Sequence, residues 1–108
     1  MNVISNDPVN CEKALEPLYQ VYDPEIGLNV VDLGLIYQID FLDDGEGIEA
    51  TMTLTTQFCP MGESITSNVT QALSDNFAGF RVHVNLVFDP PWNASRISER
   101  GRKFLNGR

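Results

Sequence analysis

The sequence is short of the groups that most enzymes and nucleic-acid binders rely on: 108 residues contain one histidine, two cysteines and seven basic residues. Two cysteines, Cys11 and Cys59, are too few for a disulfide framework, and a reducing cytoplasm is the expected compartment. No apolar run approaches the roughly 20 residues that a membrane helix needs. The opening MNVISNDPVN is polar and carries no base, which argues against a secretory signal. Seven bases stand against fifteen acids, for a net charge of −8. Residues 1–95 hold only Lys13 and Arg81 against fourteen acids, a formal −12, whereas residues 96–108 hold five bases against Glu99, or +4. An acidic body of this kind argues against nucleic acid, which needs a clustered positive surface. The basic end reads most simply as cations at the negative pole of a terminal helix.

What is present is ordinary globular composition, without repeats, low-complexity stretches or linkers. A chain of this length hides roughly two-thirds of its unfolded surface on folding and needs no metal or disulfide staple. We expect one domain over 1–108, with residues 1–10 flexible. Residues 11–21 suit a helix with an apolar stripe of Ala14, Leu15, Leu18 and Val21, although Pro17 should kink or divide it. YDPEIGLNVVDLG is rich in turn signals and reads as an ordered loop. Residues 35–42 and 48–55 alternate as two strands around a DDGEG hairpin turn. In the second, Ile48, Ala50, Met52 and Leu54 face inward, and Glu49, Thr51, Thr53 and Thr55 outward. Residues 60–77 switch to a helical period through Met61, Ile65, Val69, Leu73 and Phe77. A third strand, 80–88, should bury Phe80, Val82, Val84, Leu86 and Phe88 until two prolines stop it at DPPW. A short terminal helix follows.

The expected fold is therefore an α/β (α+β) two-layer sandwich. Its order is helix, strand, strand, helix, strand, helix, with a small three-stranded mixed sheet and helices packed on one face. A right-handed crossover makes strands two and three parallel, and the simplest sheet places strand one between them. The C-terminal ends of strands two and three then share an edge with the start of strand one. TTQFCP, DPPW and DPEIGLNVVDLG all emerge there, at the kind of rim where open α/β sheets hold ligands.

These segments also carry a family likeness. DPEIGLNVVDLGLIY (23–37), TLTTQFCP (53–60) and DPPW (89–92) with a basic tail resemble the SufT/PaaD-like metal–sulfur cluster assembly family, in order and over roughly residues 11–105. The resemblance implies a small cytoplasmic factor that helps to build iron–sulfur clusters or deliver them to client proteins. Its expected partners are client iron–sulfur apoproteins and other cluster assembly proteins. It also points to the acidic turn, Asp23 and Glu25, and to the turn of Thr55, Thr56 and Cys59, as cofactor-binding positions, with Cys59 as metal ligand.

The residues support this chemistry in part. Cys59 precedes a helix start at Pro60-Met61-Gly62, where backbone N–H groups and the helix dipole favour the thiolate. One thiolate cannot hold a cluster that commonly takes four cysteines. Either two chains share a cluster, as a homodimer, or carboxylates, a small thiol or the client complete it, and binding should be labile. Asp23 and Glu25 can supply oxygen ligands or hydrogen-bond the Cys59 turn; equally, Asp23 can cap a turn that Pro24 pre-sets. Thr55 and Thr56 can cap the following helix. Asp32 can bond the loop backbone, Gly34 permits close backbone approach, and Trp92 suits a plug over the core. Two other readings stay open. One is a metal-free interaction module with Cys59 as a packed thiol. The other is a cysteine-nucleophile enzyme, which needs a base in reach. The sole histidine, His83, lies six residues before Asp89, about 20 Å along an extended strand. A carrier, rather than a turnover enzyme, is expected.

Overall fold

The computed structural model describes residues 3–42, 45–56 and 62–107. The first helix, α1, spans Pro8–Leu18. The Asp7 side chain caps it by accepting from Asn10 N at 3.2 Å, and Pro8 supplies the fixed φ of a first turn. The helix thus starts before Cys11, and Cys11 joins Ala14, Leu15 and Leu18 on the buried stripe. Pro17 does not divide α1, which runs on to Leu18 with Pro17 in its last turn. Residues 3–6, expected to be flexible, run along the outer edge of the first strand: Ile4 N donates to Tyr37 O at 3.0 Å and Ile39 N to Ile4 O at 2.9 Å.

Strands β1 (Ile36–Phe41) and β2 (Gly47–Met52) pair antiparallel, with Ile39 opposite Ala50 and Phe41 opposite Ile48. The register slips between Ile36 and Gln38, and this irregularity breaks the simple alternation expected of β1. Leu35, Ile36, Tyr37 and Ile39 are consequently all buried. Helix α2 (Gly62–Asn76) buries Ile65, Val69 and Leu73; Pro60 and Met61, read as its first positions, lie outside the described residues. It returns the chain to β3 (Arg81–Leu86), parallel to β2 from Gly47↔Arg81 to Met52↔Leu86.

The sheet order is β1-β2-β3, so the second strand, not the first, is central. The reason is the lead-in segment. Ile4 and Asn6 already occupy the outer edge of β1, which leaves the free edge of β2 for the crossover. On edge strand β3, Phe80, Val82 and Val84 lean on the core, but Leu86 and Phe88, expected to be buried, are 42% and 39% exposed.

Helices α1 and α2 pack together over one sheet face, and β1 and β3 carry them. A 3-10 turn at Ala94–Arg96 and helix α3 (Glu99–Asn106) instead pack on the 28–34 loop. Gly101 makes that approach possible: a Cβ there would stand 3.0 Å from both Leu28 and Ile97. The loop itself is core, since Val21, Leu28, Val30, Val31, Leu33 and Leu35 are all buried. A fully buried Leu or Ile contributes about 1.5–3 kcal/mol, so this irregular segment is a main source of stability. Among the described residues no helix is long and apolar enough to cross a membrane.

Candidate functional site

The parallel pairing of β2 with β3 sends their C-terminal ends to one rim, beside the start of β1. Hydrogen bonds join three of the unusual segments there. Thr53 N donates to Leu35 O at 2.8 Å and Val87 N to Met52 O at 2.9 Å. The Tyr37 hydroxyl donates to Pro90 O at 2.8 Å, and the Trp92 indole N–H to Leu33 O at 2.7 Å. Trp92 is thus a plug against the core with its one polar atom satisfied. Thr53, expected to face outward, is fully buried, because this closure covers it.

The loop 30–35 is locked from the other side by the C-terminal segment. Gly34 has φ +77, and a Cβ there would sit 2.4 Å from Arg96 O, so only glycine admits the approach. Arg96 Nε donates to Gly34 O at 3.0 Å, and its guanidinium lies 4.2 Å over the Tyr37 ring. Asp32 is buried and accepts from Asn29 Nδ2 (2.7 Å), Ser98 Oγ (2.7 Å) and Arg100 Nη2 (2.8 Å). Burial alone would raise its carboxyl, but the donors Asn29, Ser98 and Arg100, with the Arg100 charge, outweigh it and hold the group below its ordinary value. Two bases of the tail, Arg96 and Arg100, therefore serve this loop rather than a helix dipole. Sequence reasoning singled out Asp32 but missed Ser98 and Arg100, because partners more than 60 positions away leave no local pattern.

The acidic turn is built separately. Asp23 is 2% exposed. Its Oδ1 accepts from Glu25 N at 2.9 Å and Ile26 N at 3.3 Å, and its carbonyl from Gly27 N at 2.7 Å. Asp23 thus caps its own turn. The turn closes a short hairpin in which Tyr22 bridges Asn29, beside a cleft of about 410 Å³ lined by Tyr19, Tyr22, Arg100 and Phe104. Glu25 is exposed, Thr55 half-buried and Thr56 exposed. Cys59 lies outside the described residues. Among the described residues no group of three or more His, Cys, Asp and Glu side chains stands ready to hold a metal ion. The other thiol, Cys11, sits under α1, where burial above all pushes it up from its ordinary value.

The family model for "Iron-sulfur cluster assembly protein" matches residues 12–86, from within α1 to the end of β3. The chain belongs to this family. Family relatives include the Fe-S protein maturation auxiliary factor YitW of Bacillus subtilis, 39% identical over 81% of this chain and 84% of its own. An Fe-S protein maturation auxiliary factor of Porphyromonas gingivalis is 41% identical over 82% of this chain and 83% of its own. The Staphylococcus aureus auxiliary factor SufT is 38% identical over 72% of this chain and 88% of its own. The family fold is seen in a Bacillus anthracis domain of unknown function, with a TM-score of 0.83 and 36% identity over 90% of this chain and 92% of that one. A conserved hypothetical protein of Thermotoga maritima superposes with a TM-score of 0.74 at 38% identity, covering 87% and 91%.

Proposed function

We propose that this protein is an iron–sulfur cluster assembly or transfer factor that supports maturation of client iron–sulfur proteins in the cytoplasm. The observation that carries the reading is the family match through residues 12–86, which takes in both the acidic turn and the TTQFCP segment. The auxiliary-factor relatives at 38–41% identity support it. In this reading the cluster is cargo, and Cys59 is its thiolate ligand. Thr55 and Thr56, the described residues before Cys59, offer hydroxyls to the same cargo site. Asp23 holds the acidic turn in shape, and the exposed Glu25 offers a carboxylate to the cargo or to a client. Clusters commonly take four thiolates; with one such thiolate per chain the cargo is shared between chains or completed by the client, and is released easily. Stoichiometric transfer to client apoproteins follows from that weak hold.

Anaerobic reconstitution with iron and sulfide tests the reading. The wild type should gain visible absorption and bound iron, at no more than one cluster per two chains unless small thiols are shown to be ligands, and Cys59→Ser should lose both. Asp23→Ala and Glu25→Ala should lower client maturation more than they lower thermal stability. Equal iron binding by Cys59→Ser would remove Cys59 from the site, and loss of function that merely tracks unfolding would make the acidic turn structural only.

A further inference from the structure

The seven bases of this chain are not used alike. Arg81 stands beside Glu46, Arg100 on Asp32 and Lys103 beside Glu99. Arg96 and Arg102 bond backbone carbonyls instead, and among the described residues neither is paired with a carboxylate, in a chain with fifteen acids. Both line one cleft of about 580 Å³ between the 31–36 segment and the start of α3, within the roughly 300–1,000 Å³ of ligand pockets. Val31 and Ile36 give it a buried apolar floor, and Ile97 a half-buried wall. Arg96 is fixed in place: its Nε donates to Gly34 O at 3.0 Å, and its guanidinium lies 4.2 Å over the Tyr37 ring. Arg102 Nη2 donates to Ser95 O at 3.1 Å. Both Nη groups of Arg96, and Nε and Nη1 of Arg102, have no hydrogen-bond partner among the described residues. The one described carboxylate in the cleft, Glu99, lies 3.5 Å from Lys103 Nζ.

We propose that this cleft binds an acidic segment of a partner protein, with carboxylates on the Arg96 and Arg102 forks and a neighbouring aliphatic side chain over Val31, Ile36 and Ile97. Guanidiniums already held by backbone carbonyls lose little freedom on binding, and their planar forks match carboxylates two bonds at a time. The start of α3 suits a phosphate poorly: Ser98 Oγ already accepts from Gly101 N, and the Glu99 carboxylate stands in the first turn. A small dicarboxylic acid would satisfy the forks but leave the apolar floor and the Ile97 wall uncovered. A peptide supplies both parts. The cleft adjoins Gly34, so a segment bound here lies against the loop that closes the rim. The site is complete without iron or sulfide and does not rest on the reading of Cys59.

Titration of the metal-free, isotope-labelled full chain with the peptide acetyl-Glu-Glu-Leu-amide, followed by NMR, tests it. The backbone signals of Val31, Gly34, Ile36 and Ile97 and the side-chain Nε–H signals of Arg96 and Arg102 should shift together, with a Kd of about 1 mM or below. Acetyl-Gln-Gln-Leu-amide should bind about tenfold more weakly, because its hydrogen bonds are not charge-assisted. Glutarate and inorganic phosphate should both bind more weakly than the acidic peptide. Arg102 is the residue to change, since Arg96 also holds Gly34 O. Arg102→Gln should weaken the peptide about threefold or more. Arg102→Lys, which keeps the charge and loses the fork, should weaken it too. Arg81→Gln removes a cation elsewhere on the surface and should leave binding unchanged. No shift up to about 10 mM peptide overturns the proposal. So does equal binding of the glutamine peptide, tighter binding of glutarate or phosphate, full affinity in Arg102→Lys, or an equal loss in Arg81→Gln.

Discussion

A carboxylate that is only 5% exposed needs partners, and Asp32 has them from three directions: Asn29 in its own loop, Ser98 before α3 and Arg100 within it. Asp32→Ala would strand those donors and should cost about 3 kcal/mol. Arg100→Ala should cost much less than Asp32→Ala, since the guanidinium side chain is 69% exposed and two other donors remain on Asp32. The depressed carboxyl also sets a pH dependence. The folded chain holds that proton less tightly than the unfolded chain does. Its stabilisation is therefore complete above about pH 4 and fades as pH falls through the lower folded value. Urea midpoints between about pH 3 and pH 7 should show a flatter acid limb for Asp32→Asn than for the wild type; identical slopes would remove Asp32 from the acid response. The two thiols should separate as well. Cys11 is buried and raised, so at neutral pH alkylation of the folded chain should fall on Cys59 first, and equal rates would count against a thiolate at Cys59.

At the scale of elements, the helix and strand order was legible from periodicity, because an amphipathic stripe and a strand alternation are local patterns. Strand order was not. Alternation in β2 shows one buried face but says nothing of which edge β3 will meet; that depended on Ile4 and Asn6 occupying β1 first. The rim itself was legible from topology, and its closure hangs on a few contacts. Gly34→Ala should be among the most damaging single changes, because its Cβ would meet the Arg96 backbone at 2.4 Å and φ +77 disfavours any side chain. A loss of at least about 2 kcal/mol by chemical denaturation is expected. Tyr37→Phe and Trp92→Phe each delete one hydrogen bond across the rim and should cost about 1 kcal/mol apiece. A rim that tolerates Gly34→Ala without loss would not be closed as described.

For the whole molecule, the question is carrier or catalyst. His83 stands in the middle of β3, paired in register with Glu49, and no step of the proposed transfer uses it. His83→Ala should leave client maturation near the wild-type level while Cys59→Ser abolishes it. One equivalent of loaded protein should mature no more than about one equivalent of client cluster unless iron and sulfide are resupplied, as a labile carrier requires. Turnover of a small molecule that depends on His83 would instead make the protein an enzyme.

Composition and pattern alone settled the element types, the mixed sheet and the family, since each is written in residues close together in the chain. Tertiary structure decided what those patterns leave open. It made the 21–35 loop a wall of the core and turned tail arginines into partners of Asp32 and Gly34. It gave Asp23 to its own turn. It also left Leu86 and Phe88 on an uncovered edge. These outcomes depend on which surfaces meet across tens of residues. Burial and hydrogen-bond satisfaction act on that three-dimensional neighbourhood, and a local stretch of sequence does not contain it.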